Sequence, residues 1–395
     1  MKWQIKKLDE VCEIIIGGTP SRGIADYWRE GTLPWVSIRD MTREGKFITE
    51  TKEKITEKGV QNSNVKLIPK DTLLFSFKLS IGKLAFAGED LYTNEAIAGF
   101  VIKDKNELDK NFLYYFLQSS TFDTAQHAVK GNTLNKEKMK VLEIPLPPLK
   151  TQKEIVKKLD EKFEKLNKAK RLRAEALADT EKILSQTLHE IFEEGKKMGW
   201  EEKSFDDEQI LKMTSGGTPS RGNKDFYIGN IPWLKSGELQ DNTDIKDSEE
   251  KISEEAVKKS SAKIFPKGTV LFAMYGATAG KIGILGIDAS TNQAVAGMIP
   301  VSSKLDKKFL YYFLMKKREE IIAQAWGGAQ PNLSQTILKT FSIPLPSLPE
   351  QKKIVKQLDA LSAKIRQTTE LQKSQLVDLK KLEKSYLREA FNGEL

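Results

Sequence analysis

The chain is written twice. Residues 17–23 read GGTPSRG, and residues 216–222 read GGTPSRG again. At an offset that stays about 198 positions, Leu33-Pro34-Trp35 returns as Ile231-Pro232-Trp233, and Thr72-Leu73-Leu74-Phe75 as Thr269-Val270-Leu271-Phe272. Gly82-Lys83 returns as Gly280-Lys281, and Thr93-Asn94-Glu95-Ala96 as Thr291-Asn292-Gln293-Ala294. FLYYFL at 112–117 is repeated letter for letter at 309–314, and Ile144-Pro145-Leu146-Pro147 becomes Ile343-Pro344-Leu345-Pro346. The match runs on into the charged segments behind each proline cluster, where Gln152, Ile155, Val156, Leu159 and Asp160 answer Gln351, Ile354, Val355, Leu358 and Asp359. A duplication of this extent decides the architecture before any local argument does. At about 150 residues per domain, 395 residues make two domains with some helix to spare.

Each copy has two parts. Residues 1–150 and 199–349 are rich in Gly, Pro, aromatic and β-branched residues, with short apolar runs such as 73–77 and 270–274 bounded by turn signals, which predicts strand-rich mixed domains. Residues 151–198 and 350–395 are dominated by Lys, Glu, Leu, Ala and Gln and hold no Gly or Pro until near their ends. Each of these reads as one long helix. Thr151 with Glu154, and Ser347 with Glu350, fit the S/T-x-x-E capping box directly behind a proline cluster. Leu358, Leu361, Ile365, Leu379 and Leu382 on one helix, and Leu159, Phe163, Leu166 and Ile183 on the other, lay out an apolar stripe. The expected fold is therefore α+β: two repeated strand-rich α/β domains joined by two long helices that form an antiparallel coiled coil, with pseudo-twofold symmetry.

The residues that most chemistries need are scarce. The single cysteine, Cys12, has no partner for a disulfide, and there is no Cys/His cluster with zinc spacing. Two histidines, His127 and His189, read as surface or packing residues. Gly18-Thr19-Pro20-Ser21-Arg22-Gly23 has the four-residue interior of a P-loop, but Ile24 and Ala25 stand where Lys and Ser/Thr are required. Gly276 to Lys281 has one residue too few between its glycines, and its counterpart Ser80-Ile81-Gly82-Lys83 lacks the leading glycine. No Gly-x-Gly-x-x-Gly, Asn-Pro-Pro-Tyr or Pro-Asp string occurs, and Glu249-Glu250-Lys251 reads as a solvated charge run. Without a long apolar run or a secretory start, the sequence predicts a non-catalytic cytoplasmic protein with no membrane contact.

A non-catalytic duplicated chain can hold two similar reading heads at a set distance, the arrangement that reads two half-sites on a duplex. The net charge of +9 is spread over all four segments, so a DNA-facing surface has to be a local patch. Cations recurring in both copies, Arg22 with Arg221, Lys70 with Lys267 and Lys83 with Lys281, are the candidates for phosphate contact, because the backbone is the same everywhere. Base reading is sought where matched segments differ: Arg39, Arg43, Lys78, Ser80 and Asn132 in the first copy, Lys235, Tyr275, Thr278 and Gln330 in the second. The GGTPSR strings allow either a phosphate-approaching turn or a plain tight turn, and Trp35 and Trp233 read as core anchors.

GGTPSR followed by an aromatic pair, then (I/L)-P-W, a Gly-Lys turn, Thr-Asn-(Glu/Gln)-Ala, and I-P-L-P before a helix opening Q-K-x-I-V-x-x-L-D resembles the specificity subunit of type I restriction-modification systems, twice over and along nearly the whole chain. The resemblance implies two target recognition domains (1–150 and 199–349), each reading half of a split double-stranded DNA site. Between them it implies helical spacers (151–198 and 350–395) whose length sets the gap. It also implies partners: two methyltransferase subunits clasping the helices, and restriction subunits joining that core. S-adenosylmethionine, ATP and Mg²⁺ would then belong to those partners and not to this chain. Target domains of this family vary so widely that no base-contacting residue carries over. The rival reading is a coiled-coil scaffold with two protein- or glycan-binding heads.

Overall fold

A computed structural model describes residues 3–42, 45–78, 80–119, 134–325 and 333–395. The chain divides into two compact units, residues 1–173 with 374–395, and residues 174–373.

The first unit is built on a five-stranded sheet in the order Cys12–Ile16, Ile97–Ile102, Leu73–Ser76, Leu84–Ala87, Phe47–Ile48, antiparallel except for the last pair. Alternation decides what each face buries. Leu73, Phe75, Phe86 and Phe100 pack with the Lys110–Ser119 helix and with Ile155, Leu159 and Phe163, whereas Leu74, Ala85, Ala87 and Ile97 pack with Val36, Ile48 and Ile68. A three-stranded sheet, Glu53–Ile55, Leu33–Val36, Tyr92–Thr93, carries a smaller core of Trp35, Ile55 and Val65. Gln4–Lys7 pairs with Glu143–Leu146, just before the long helix.

The second unit has the same plan. Its five-stranded sheet runs Leu211–Ser215, Val295–Pro300, Val270–Ala273, Ile282–Leu285, Asn242–Ile245, with Val270 and Phe272 on the face covered by the Lys307–Ala323 helix, and Leu271 and Ala273 on the other. A four-stranded sheet, Glu250–Ile252, Ile231–Leu234, Ala289–Thr291, Ile264–Phe265, lies beside a core of Phe226, Trp233 and Ile252.

Two helices of 49 and 44 residues, Leu149–Lys197 and Leu348–Phe391, dominate the remaining chain. The second begins immediately after Ser347, whose carbonyl accepts the Gln351 N–H at 2.9 Å. The first departs from the expected capping box: it starts at Leu149, with the Gln152 N–H on the Pro148 carbonyl at 3.1 Å, so Thr151 lies inside the first turn. Pro148 forces Pro147 into extended backbone, and the helix starts directly behind that pair rather than three residues later.

Each unit joins parts of both helices. In the first, Phe163 and Leu166 share a core with Leu387 and Ala390, Lys170 pairs with Glu383, and Lys162 stands 3.7 Å from Glu389. In the second, Leu188 and Phe192 share a core with Ile354, Val355 and Leu358, and the Gln372 amide donates to the Thr180 hydroxyl at 3.2 Å. Leu159 and Leu358 are fully buried, and Leu361, Ile365 and Leu379 are half-buried.

Two members of the expected stripe are misplaced. Ile183 is 41% exposed and Leu382 is 38% exposed. The packed line on the first helix passes through buried Thr180, Leu188 and Phe192 and half-buried Leu184 instead. Reaching Ile183 from Leu166 takes the stripe through Ala169 and Ala176 in seven-residue steps, which drift by about 20° each on a helix of 3.6 residues per turn and carry position 183 off the seam. On the second helix the line passes through Leu379, Glu383, Leu387 and Ala390, because the Glu383 carboxylate is taken by Lys170 and so tolerates the seam.

Candidate nucleic-acid interface

The GGTPSRG turns are built by what surrounds them. Gly17 lies so close to Thr93 that a Cβ would collide with the Thr93 hydroxyl and the carbonyls of Thr93 and Asn94, and Gly216 meets Thr291 and Asn292 in the same way. The glycines are there for close approach between segments. The next carbonyl in each turn, that of Gly18 or Gly217, accepts the indole N–H of Trp35 or Trp233 at 3.0 Å. Both indoles are buried, as expected of core anchors. Thr19 donates to Glu95 and Thr218 to Gln293, which ties the turn to the Thr-Asn-(Glu/Gln)-Ala string.

Arg22 and Arg221, expected at phosphates, are exposed and each pairs with a carboxylate of its own domain. Arg22 forms a two-pronged pair with Glu53 and lies over Trp28 and Trp35, its guanidinium carbon 3.8 and 5.0 Å from the ring centres. Arg221 repeats this with Glu250, at 2.6 and 3.3 Å, over Tyr227 and Trp233. The hydrogen bonds between partners hold both carboxylates below, and both guanidinium groups above, their ordinary values. Glu250 also accepts from Lys235 at 3.1 Å, and Glu249 stands 3.0 Å from the same ammonium, so Glu249-Glu250-Lys251 is no free charge run: it is the acidic half of a network.

The loops holding the unlike positions meet. In the first unit the Lys83 ammonium lies 3.4 Å from the Ile38 carbonyl, which brings the loop of Lys78 and Ser80 to the segment of Arg39. Arg39, Lys78 and Ser80 are exposed, and Lys78 lies 5.4 Å from the Phe77 ring centre. Asp40 anchors this segment by accepting from the Ser37 N–H and hydroxyl and from the Lys52 N–H. In the second unit the Glu238 carboxylate does the same for Lys235 and Glu249 N–H.

There the corresponding loop is locked by charge. Asp241, at a φ of +60°, accepts from Lys281 at 3.0 Å and from Arg318 at 2.5 and 3.2 Å, while its carbonyl takes the Tyr311 hydroxyl at 2.6 Å. Tyr275 and Thr278 on that loop are half-buried, and burial pushes the Tyr275 hydroxyl up. Lys70 and Lys267 are exposed at turns fixed by their own N–H groups on Asp90 and Asp288. Arg43, Asn132 and Gln330 lie outside the described residues. Sequence reasoning missed the acidic partners: Glu53 and Glu250 stand in matched strands opposite matched arginines, a pairing visible only when both repeats are compared for charge.

Among the described residues no group of three or more His, Cys, Asp or Glu side chains could hold a metal ion, and no helix is long and apolar enough to cross a membrane.

The type I restriction modification DNA specificity domain model matches residues 1–176 and again 198–377. The type I restriction enzyme MjaIX specificity subunit of Methanocaldococcus jannaschii is 26% identical over all of this chain and 93% of its own length. The EcoR124I/EcoR124II specificity subunit of Escherichia coli is 31% identical over 41% of each chain. The fold is shared with a chain from work on complex assembly and conformational transition of the type I R-M system (TM-score 0.79, 22% identity, 100% of this chain and 98% of that one). It is also shared with the HsdS subunit from Thermoanaerobacter tengcongensis (TM-score 0.61, 22% identity, 100% and 97%). Duplicated sheets, duplicated turns and a twice-matched domain model coincide: the chain belongs to the DNA specificity subunits of type I restriction-modification systems.

Proposed function

We propose that this chain reads a bipartite DNA site, one half-site per recognition domain (1–150 and 199–349), and that its helical segments (151–198 and 350–395) pair as an antiparallel coiled coil that sets the gap. The observation that carries this is the same sheet order, the same Trp-anchored turn and the same long helix occurring twice in one chain. Within each domain the reading surface is the meeting of the two unlike loops: Arg39, Lys78 and Ser80 in one, Tyr275 and Thr278 in the other. Exposed Lys70 and Lys267 serve the backbone, whereas Arg22 and Arg221 serve the fold. The chain itself is non-catalytic. Two methyltransferase subunits dock along the helices, where exposed Leu172, Leu371 and Val377 offer apolar contact, and restriction subunits join that core. S-adenosylmethionine, ATP and Mg²⁺ act in those partners.

The test is matched deletion of seven residues from both helices in the methyltransferase complex. Two turns shorten each helix by about 10 Å, close to three base pairs at roughly 3.4 Å each, and keep the apolar phase. The expected product is methylation of the same two half-sites with a gap about three base pairs shorter. An unchanged gap contradicts the proposal.

A further inference from the structure

Two polar points tie each recognition domain to its long helix, and they are the same two points in both units. The first is a glutamine in the opening turn. Gln152 is completely buried; its amide donates to the carbonyls of Glu107 (2.7 Å) and Pro147 (2.8 Å), and its carbonyl accepts the Asp109 N–H at 2.9 Å. Gln351, also completely buried, repeats all three bonds with Lys304 (2.9 Å), Pro346 (2.9 Å) and Asp306 (2.8 Å).

Asp109 and Asp306 cap the FLYYFL helices, each accepting two N–H groups of the first turn. The glutamine therefore joins the start of one helix to the start of the other. The second point lies two turns on, where the Tyr115 hydroxyl donates to Asp160, and the Tyr312 hydroxyl donates to Asp359 at 2.8 Å. Burial pushes both hydroxyls up, which keeps them as donors.

Glutamine and aspartate are eight residues apart on the long helix, or about 12 Å. Two attachments that far apart fix an angle, which apolar packing alone does not, because dispersion contacts tolerate sliding whereas hydrogen bonds to a buried amide are directional. The surroundings have drifted between the copies, with Asn111 against Lys308, whose ammonium adds a 2.6 Å bond to Asp359, and Glu161 against Ala360, yet the glutamine, tyrosine and aspartate residues and the bonds between them described above recur in both.

We propose that Gln152 and Gln351, with the Tyr115–Asp160 and Tyr312–Asp359 pairs, are positioning residues for spacing: they set the angle between recognition domain and helix, and so the number of base pairs accepted between half-sites. The inference rests on the bipartite reading proposed above. A domain of 150 residues is about 38 Å across, so a tilt of only about 5° at its base moves its far side by about 3 Å, one base-pair step. Helix length sets the coarse gap and the polar points set the last step.

The experiment maps methylation by the full-length chain in complex with its methyltransferase subunit, comparing wild type, Gln152→Met and Tyr115→Phe. The quantity read is methylation at correct half-sites with the gap one base pair too long or too short, relative to the cognate gap. Gln152→Met, close in volume but unable to make the three bonds, is expected to raise that ratio by roughly tenfold with the half-site bases unchanged, and Tyr115→Phe to raise it less. A residue that merely holds the fold lowers methylation at every gap together and leaves the ratio at the wild-type value; that result overturns the inference. Should Gln152→Met fail to assemble, Tyr115→Phe keeps the ring and loses one hydrogen bond, and its ratio decides in the same way. A wild-type map without a fixed gap overturns the bipartite reading and this inference with it, whereas a fixed gap retained in both variants overturns this inference alone.

Discussion

Trp35 and Trp233 each fill the core of a small sheet and also hold the second glycine of a GGTPSRG turn through the indole N–H. Trp233→Phe keeps only the six-membered ring, leaves a gap in the core and strands the Gly217 carbonyl, so a loss of at least about 1–3 kcal/mol is expected in denaturant unfolding of the full chain. A loss indistinguishable from zero would show that the carbonyl finds another donor. Cys12 is a second residue-scale case. It is buried, and burial pushes its thiol up to about 12 against the opposing pull of Lys103. The native chain at pH 8 should resist iodoacetamide and react after unfolding, as read by mass spectrometry; rapid native labelling would contradict the burial. Some of this was legible in the sequence: a tryptophan behind a proline and between apolar neighbours reads as core. The pairing of Arg22 was harder to read, because its partner Glu53 lies 31 positions away on a strand and only a charge comparison of the two repeats hints at it.

At the scale of elements, the long helices were legible in existence and less so in phase. Absence of Gly and Pro, charge-rich composition and an apolar recurrence announce a helix, but a heptad read across a polar middle loses the seam, as Ile183 and Leu382 show. The sequence offered no sign that the seam would admit Glu383, since the Lys170 that neutralises it lies on the other helix. A comparable pair ties the Lys307–Ala323 helix to the first long helix in the second unit. Glu193 stands 2.9 Å from the nearly buried Lys316 ammonium, whose hydrogen bond and charge hold the carboxylate down to about 2, from an ordinary 4.5. A folded-state value lower than the unfolded one means this contribution is complete above pH 4.5 and is lost as pH falls toward 2. Glu193 is itself partly exposed, so the effect is small and screened. The melting-temperature advantage of wild type over Glu193→Gln should shrink across that window, and an advantage constant from pH 6 to pH 3 would contradict the pairing.

For the whole molecule, duplication is both the most legible feature and the one with most functional content. It was read from strings such as GGTPSRG and FLYYFL, and each maps onto the same place in its own unit: the first closes on the buried tryptophan, the second lies between the large sheet and a long helix. What was not legible is which exposed residues face DNA, because a reading surface is defined by what it touches, and unlike positions such as Lys78 and Tyr275 differ from drifted surface only in the presence of the duplex. A separable-head architecture predicts separable specificities.

The most direct test of that claim is methylation mapping of a genome exposed to the chain with its methyltransferase subunit, before and after residues 1–150 are exchanged for those of a relative. The account predicts a split motif with a fixed gap in which only one half changes and the other half stays. A motif that changes in both halves, or one with no split at all, would contradict two independent reading heads held on one helical frame.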